Sequence, residues 1–318
     1  MGLDTGSLDG VVPTNNINTI TYLNIGSKNI SDLTGIEDFT VLDTLICWYN
    51  QLTNIDITQN IYLTALECSS NNLTSLDVSQ NNMLSLLYIS NNNLLNLNTT
   101  QNITLTELSC GSNLLTNLDL NQNIGLSILY CPNNQLTNLN VSQNIALTNL
   151  TCSNNELNSL NINQNVLLTQ LYCDNNLLNC LNVKNGNNSN FTDFFAFGNT
   201  NLTCIEVDDV VWSTANWISF IDAGATFSTN CGTPCSVGIS EYKSSTISIF
   251  PNPTSSQLIL ESGGLIIDEV KIIDFTGRII KTIVPKTNSI NVADLPCGIY
   301  FIQLTTKEQK LTQKFVKN

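Results

Sequence analysis

The chain holds eleven cysteines and no histidine in 318 residues, and that combination narrows the available chemistry at once. Without an imidazole, neither a serine nor a cysteine nucleophile has its usual base, and no Gly-rich phosphate loop or metal-binding spacing is present. Six of the thiols, Cys47, Cys68, Cys110, Cys131, Cys152 and Cys173, recur in one repeating position where Ile89 takes the remaining place. An isoleucine there marks the position as a small apolar one, so these thiols are expected to pack as free, inert core residues. No metal and no cofactor is expected. The carboxylates Glu67 and Glu107 lie two repeats apart and two residues out of step, about 10 Å or more at 4.8 Å per strand, too far for a retaining pair of acids. The chemistry expected is binding rather than catalysis.

The repeat behind these columns begins at Leu42, Leu63, Leu84, Leu105, Leu126, Leu147 and Leu168, each 21 residues after the last. A unit this short cannot bury its own apolar edge, so successive units must stack into a solenoid. Within one unit, Leu66 and Cys68 alternate with Ala65, Glu67 and Ser69, the pattern of a short strand with one face inward. The asparagines Asn50, Asn71, Asn92, Asn113, Asn134, Asn155 and Asn176 sit where the chain leaves the strand, and an amide there can satisfy backbone groups that lose their ladder partners. A second polar column, Gln59, Gln80, Gln101, Gln122, Gln143 and Gln164 with the asparagine after each, is expected to do the same at the opposite corner.

The pattern Leu63-x-x-Leu66-x-Cys68-x-x-Asn71-x-Leu73 and its six counterparts resemble the leucine-rich repeat family, with weaker units at Ile20–Leu33 and Phe191–Leu202. The resemblance implies a mainly β fold: a leucine-rich repeat array over residues 20–203 after a lead-in at 1–19, its parallel strands lining a concave face. The following segment, 204–236, with Trp212, Trp217 and Phe220, resembles the C-terminal cap of secreted leucine-rich repeat proteins of Bacteroidetes-type bacteria. On that resemblance Cys204 pairs with Cys231 in an oxidising compartment, while Cys180 and Cys235 are left open. Asp208-Asp209 reads as a solvated or helix-start pair rather than a calcium loop.

Charge shifts sharply after the cap. Residues 1–243 carry 19 acidic residues against Lys28, Lys184 and Lys243, a balance of −16, while residues 244–318 carry 6 acidic and 8 basic residues. An array this acidic does not suit nucleic acid or an anionic membrane. A linker at 237–244 then leads to residues 245–318, whose alternating strands around Pro251-Asn252-Pro253, Gly277 and Gly298 predict a small antiparallel, immunoglobulin-like β-sandwich. The order of these motifs resembles the C-terminal sorting domain of the type IX secretion system. That resemblance implies recognition by the secretion translocon, sortase-like processing, and a secreted or outer-membrane-surface location. The opening Met1-Gly2-Leu3-Asp4 has no signal peptide and no span of the chain is transmembrane, so the expectation is that the natural N-terminus lies further upstream.

Function is thus expected on the concave face of a monomer, as an adhesin-like site for a protein or glycan, with a passive surface coat as the alternative. The residues expected to carry binding are Trp48, Tyr49, Glu67, Tyr88, Glu107, Tyr130, Tyr172, Asp174, Phe195 and Phe197. Tyr88, Tyr130 and Tyr172 fall on every second strand, about 10 Å apart, and their replacement is expected to spare the fold because they point away from the core.

Overall fold

A computed structural model describes residues 14–232, 235, 248–261, 267–274, 278–283, 289–305 and 310–318. The linker at 237–244 and residues 1–13 of the lead-in lie outside the described residues. The chain divides into two compact units, residues 1–238 and 239–318.

In the first unit every strand is three residues long, one to a turn at first and two to a turn from Leu147 onward. In chain order these are β1 Tyr22–Asn24, β2 Thr44–Ile46, β3 Ala65–Glu67, β4 Leu86–Tyr88, β5 Glu107–Ser109, β6 Ile128–Tyr130, β7 Asn149–Thr151, β8 Ser159–Asn161, β9 Gln170–Tyr172, β10 Cys180–Asn182, β11 Asp193–Phe195, β12 Cys204–Glu206 and β13 Thr226–Ser228. Nine of them, β1 to β7 with β9 and β11, pair parallel in one sheet and keep register throughout, so Leu45, Leu66, Leu87, Leu108, Leu129, Leu150 and Leu171 form one buried row. The sequence pattern does not reveal a second parallel sheet in the last turns, formed by β8, β10, β12 and β13. Its strands begin where Ser159-Leu160-Asn161 and its successors present the same alternation.

The core consists of columns rather than a centre. Leucine rows alternate with the thiol row, in which Cys47, Cys68, Cys110, Cys131, Cys152 and Cys173 are fully buried and unbridged. Burial pushes the Cys110 thiol up to about 12 and raises those of Cys131, Cys152 and Cys173, while a hydrogen bond with Cys47 is the leading cause at Cys68. Charging such a group would strand an anion without solvent or partner.

Two amide ladders hold the corners. Asn113 is typical: its Nδ2 donates to the carbonyls of Ile89 (3.0 Å) and Cys110 (3.1 Å), and its Oδ1 accepts from Leu94 N (3.0 Å). One side chain thereby ties its own turn to the preceding one. At the other corner the asparagines alone do this, as Asn81 Nδ2 donates to Ile57 O and Asn60 O at 2.9 Å. The glutamines beside them are exposed, so the expected Gln–Asn column is an asparagine ladder with a solvated neighbour.

The far end of the stack is closed by α1, Val210–Trp217, whose N-cap Asp209 accepts from Val211 N (2.8 Å) and Trp212 N (3.1 Å). Asp208 accepts instead from Gly186 N and Asn188 N, so both carboxylates of the pair fasten backbone. Trp217 stacks on Phe194 with centroids 4.2 Å apart and covers the last leucine row. Disulfides join Cys204 to Cys231 and Cys180 to Cys235.

The second unit is a two-layer sandwich. One sheet pairs β14 Ser248–Phe250, β15 Gln257–Glu261 and β18 Ser289–Asn291; the other orders β17 Ile279–Ile283, β16 Glu269–Asp274, β19 Gly298–Thr305 and β20 Lys310–Lys317. Leu258, Leu260, Ile290, Val270, Ile272, Ile302, Leu304 and Phe315 from both sheets share one core. The Pro-Asn-Pro-Thr motif is tied to the chain end: Val316 N donates to Asn252 Oδ1, Thr254 N to Val316 O and Asn318 N to Thr254 O, each at 2.9 Å.

Candidate functional site

The outward face of the nine-stranded sheet is built from every second residue of strands whose other residues are core. In-register pairing places Ile46, Glu67, Tyr88, Ser109, Tyr130, Thr151, Tyr172 and Phe195 in one row. Two residues further along, beyond the strand ends, run Trp48, Ser69, Ser90, Gly111, Pro132, Ser153, Asp174 and Phe197. Eight of the ten expected binding residues fall in these two rows, with Tyr49 next to Trp48 and Glu107 opposite Leu86 at the start of its strand, but they do not share one environment.

At the C-terminal end the aromatics pack on one another. Tyr172 stacks on Phe195 with centroids 5.0 Å apart and 12° between planes, and Phe195 meets Phe197 edge-on (6.3 Å) and Phe220 of the cap (5.0 Å). This is cross-strand packing that closes the array, so a serine at position 172 would disturb the cap seam as well as the surface. The carboxylates nearby are also engaged. Asp174 accepts from Ser153 Oγ (2.5 Å) and Asn175 Nδ2 (2.8 Å), while Asp193 accepts from Gln170 Nε2 (3.0 Å). In the middle, Tyr88 donates to Glu107 at 2.5 Å; partial burial first, and that bond second, push its phenol up to about 12. This pairing leaves Glu107 a hydrogen-bond acceptor for a tyrosine, two strands away from Glu67, which accepts from Ser69 N.

Elsewhere the rings are open. Tyr130 is 44% exposed and Trp48 42%, with Tyr49 at 66%. Trp48 and Tyr130 each lean over a glycine of the preceding turn: a Cβ on Gly111 would lie 2.8 Å from Tyr130 Cε1, and one on Gly26 would lie 2.8 Å from Trp48 Nε1. Neither glycine was singled out by sequence reasoning, although Gly111 interrupts the column of Ser69, Ser90 and Ser153 at a 21-residue spacing, which is the signal that could have found it. A cleft of about 290 Å³ between the first two turns holds Asp32, Glu37 and Asp56. Asp32 and Asp56 are held below the usual carboxylate range by hydrogen bonds from Thr34 and Thr58, which makes them turn-forming residues. Among the described residues no group of three or more His, Cys, Asp or Glu could hold a metal, and no helix is long and apolar enough to cross a membrane.

A family model described as a secretion system C-terminal sorting domain matches residues 248–318. Internalin J of Listeria monocytogenes serotype 4b (strain F2365) is 48% identical over 42 residues, 13% of this chain and 5% of that protein, so the match spans a small part of that relative's length. Among solved structures, an internalin (inlF) from Listeria monocytogenes str. 4b F2365 aligns at 22% identity with a TM-score of 0.54, over 66% of this chain and 62% of that one. The functional domain of InlJ from Listeria monocytogenes, described as including a cysteine ladder, aligns over 96% of this chain and 92% of that one at 21% identity. Its TM-score of 0.37 is too low to argue a shared shape.

Proposed function

Because this is a leucine-rich repeat protein carrying a secretion-system sorting domain at its C-terminus, we propose that it is exported to the cell surface or beyond and binds a protein or glycan there, in the manner of an adhesin. The observation that carries this reading is the sheet face itself: nine in-register strands and the residues just beyond them expose Tyr130, Trp48 and Tyr49 along one side of the array. The acidic balance of the array favours a neutral or cationic partner. No catalytic role is assigned, since the closest acid–phenol pair, Tyr88 with Glu107, keeps the phenol protonated and the carboxylate occupied.

The test is a glycan-array and cell-surface binding screen on the wild type, the Tyr130→Ser variant and the Tyr88/Tyr130/Tyr172→Ser triple variant. The single variant is needed because Tyr172 also seals the cap. Loss of signal in both variants supports the reading, and equal signals from all three remove the tyrosine row as the site. Silence from the wild type favours a second reading, a passive surface coat, for which the packed state of Tyr172, Phe195 and Phe220 is the supporting observation. Export is tested separately by fusing residues 240–318 behind a signal peptide and a reporter in a host with the type IX apparatus; a reporter retained in the periplasm would count against the sorting role.

A further inference from the structure

Nine successive turns leave the strand through one residue with left-handed backbone: Ser27, Tyr49, Ser70, Asn91, Ser112, Asn133, Asn154, Asn175 and Gly198, with φ from 52° to 71°. Glycine has no Cβ to clash there, and serine and asparagine can hydrogen-bond locally, whereas a bulky side chain in that region is an outlier. Tyr49, at φ 53°, is the single bulky member of the column. Its ring lies outside the core, with Trp48 as its described ring neighbour at 6.4 Å and 58° between planes. The strain is therefore not offset by core packing, and a strained residue that packs little points to a use at the surface. Gly26 supports this from the other side. Its own φ is not left-handed, and what it supplies is space: a Cβ would come within 2.9 Å of the Trp48 indole at two atoms. One turn has given up a side chain to seat the indole, and the next accepts strain to place the phenol beside it.

We propose, resting on the sheet-face reading above, that Trp48 and Tyr49 form a stacking subsite for a neutral carbohydrate. Two rings about one sugar unit apart suit the apolar faces of a pyranose chain. Asn24, Glu67, Ser69 and Ser70 on the flanking turns offer hydrogen bonds to its hydroxyls. A protein partner would need on the order of 800 Å² of contact with a continuous apolar centre, and here polar residues border the two rings directly. The array's balance of −16 disfavours uronate or sulfated chains.

The test titrates the full chain with neutral hexasaccharides (β-1,4-glucose, β-1,4-N-acetylglucosamine and β-1,4-mannose) and with hexagalacturonate, read by calorimetry and by tryptophan emission. The other two tryptophans, Trp212 and Trp217, sit in the cap. At least one neutral sugar is expected to bind and change the emission, while hexagalacturonate does not. Trp48→Ala and Tyr49→Asn should each weaken binding at least tenfold, and Tyr62→Ser, an exposed ring on a turn outside the sheet, should not. Tyr49→Asn should also raise the melting temperature, because asparagine suits the left-handed position. A lower melting temperature with unchanged affinity would make Tyr49 structural and overturn the proposal. Sugar binding lost only in Tyr130→Ser would move the subsite along the sheet, and binding of cells but of no sugar would replace the ligand class; either overturns this inference while leaving the sheet-face reading standing.

Discussion

The array and the sorting domain solve the same problem, keeping buried backbone satisfied, by different means. In the array, side-chain amides at two corners repeat a hydrogen-bond pattern every 21 residues, and each links only neighbouring turns. In the sandwich, long antiparallel strands such as β19 and β20 pair directly over eight residues, and both sheets share one core. All three ion pairs found among the described residues, Lys271–Glu269, Arg278–Asp274 and Lys281–Asp294, belong to the sandwich and stand at its surface. Stability in the array is thus local and additive along one dimension, whereas the sandwich should be lost as a whole.

The largest expected separation between the two units comes with alkali. Five array thiols, Cys68, Cys110, Cys131, Cys152 and Cys173, have pKa values raised in the fold, while in an unfolded chain they ionise near 9. Their contribution is fully present below about pH 9 and is lost as pH climbs toward the folded values, about 12 for Cys110. Each costs about 1.4 kcal/mol one pH unit above the unfolded value. Calorimetric scans from pH 8 to 10.5 should show the array transition falling well ahead of the sandwich transition; parallel shifts would refute the difference.

Reduction comes next. Opening the two cap disulfides should cost about 2–4 kcal/mol each and expose the last turns to hydrogen exchange first, with the sandwich untouched. Uniform exchange along the array would show that the cap does not act locally. Below that, Asn113→Ala removes three hydrogen bonds to buried backbone groups and should cost about 3 kcal/mol in denaturant titration. A cost under about 1 kcal/mol would mean that the ladder is decorative.

The smallest effect concerns one exception in the second ladder. The buried Oδ1 atoms of Asn60, Asn81, Asn102, Asn144 and Asn165 have no hydrogen-bond partner among the described residues, but that of Asn123 accepts from Thr99 Oγ1 at 2.9 Å. Thr99 stands where other turns carry Ile57, Val78, Leu120 or Val141. Thr99→Val should therefore destabilise by about 1 kcal/mol, and Val78→Thr, which places a hydroxyl opposite Asn102, should recover a comparable amount in the double variant. Equal stability of Thr99→Val and the Thr99→Val/Val78→Thr double variant would remove the exception.

Periodicity made most of the array readable, because a stacked unit must place equivalent residues in equivalent environments: the leucine rows, the thiol row and the Asn50–Asn176 ladder all follow from spacing. What spacing could not reveal lies where equivalence fails. Gln59 and Asn60 are both polar and both periodic, and only the direction in which the backbone turns each position decides which reaches the carbonyls inside. Tyr88, Tyr130 and Tyr172 look alike in sequence, yet the first is held by Glu107, the second stands open and the third is pinned by Phe195, distinctions set by neighbours on other turns. The second sheet has no signal of its own, because Leu160 repeats a position that Leu76, Leu97, Leu118 and Leu139 also occupy in turns where it forms no strand.

The row of six buried thiols has a further consequence. Because a thiol inside the fold is shielded, it can be modified only during a local opening, so its labelling rate reports how often that one turn comes apart. Spaced from Cys47 to Cys173 with a single gap at Ile89, the row is a graduated scale written into the chain. Read by mass spectrometry under native conditions, it would give the opening frequency of each turn and show from which end the array unzips.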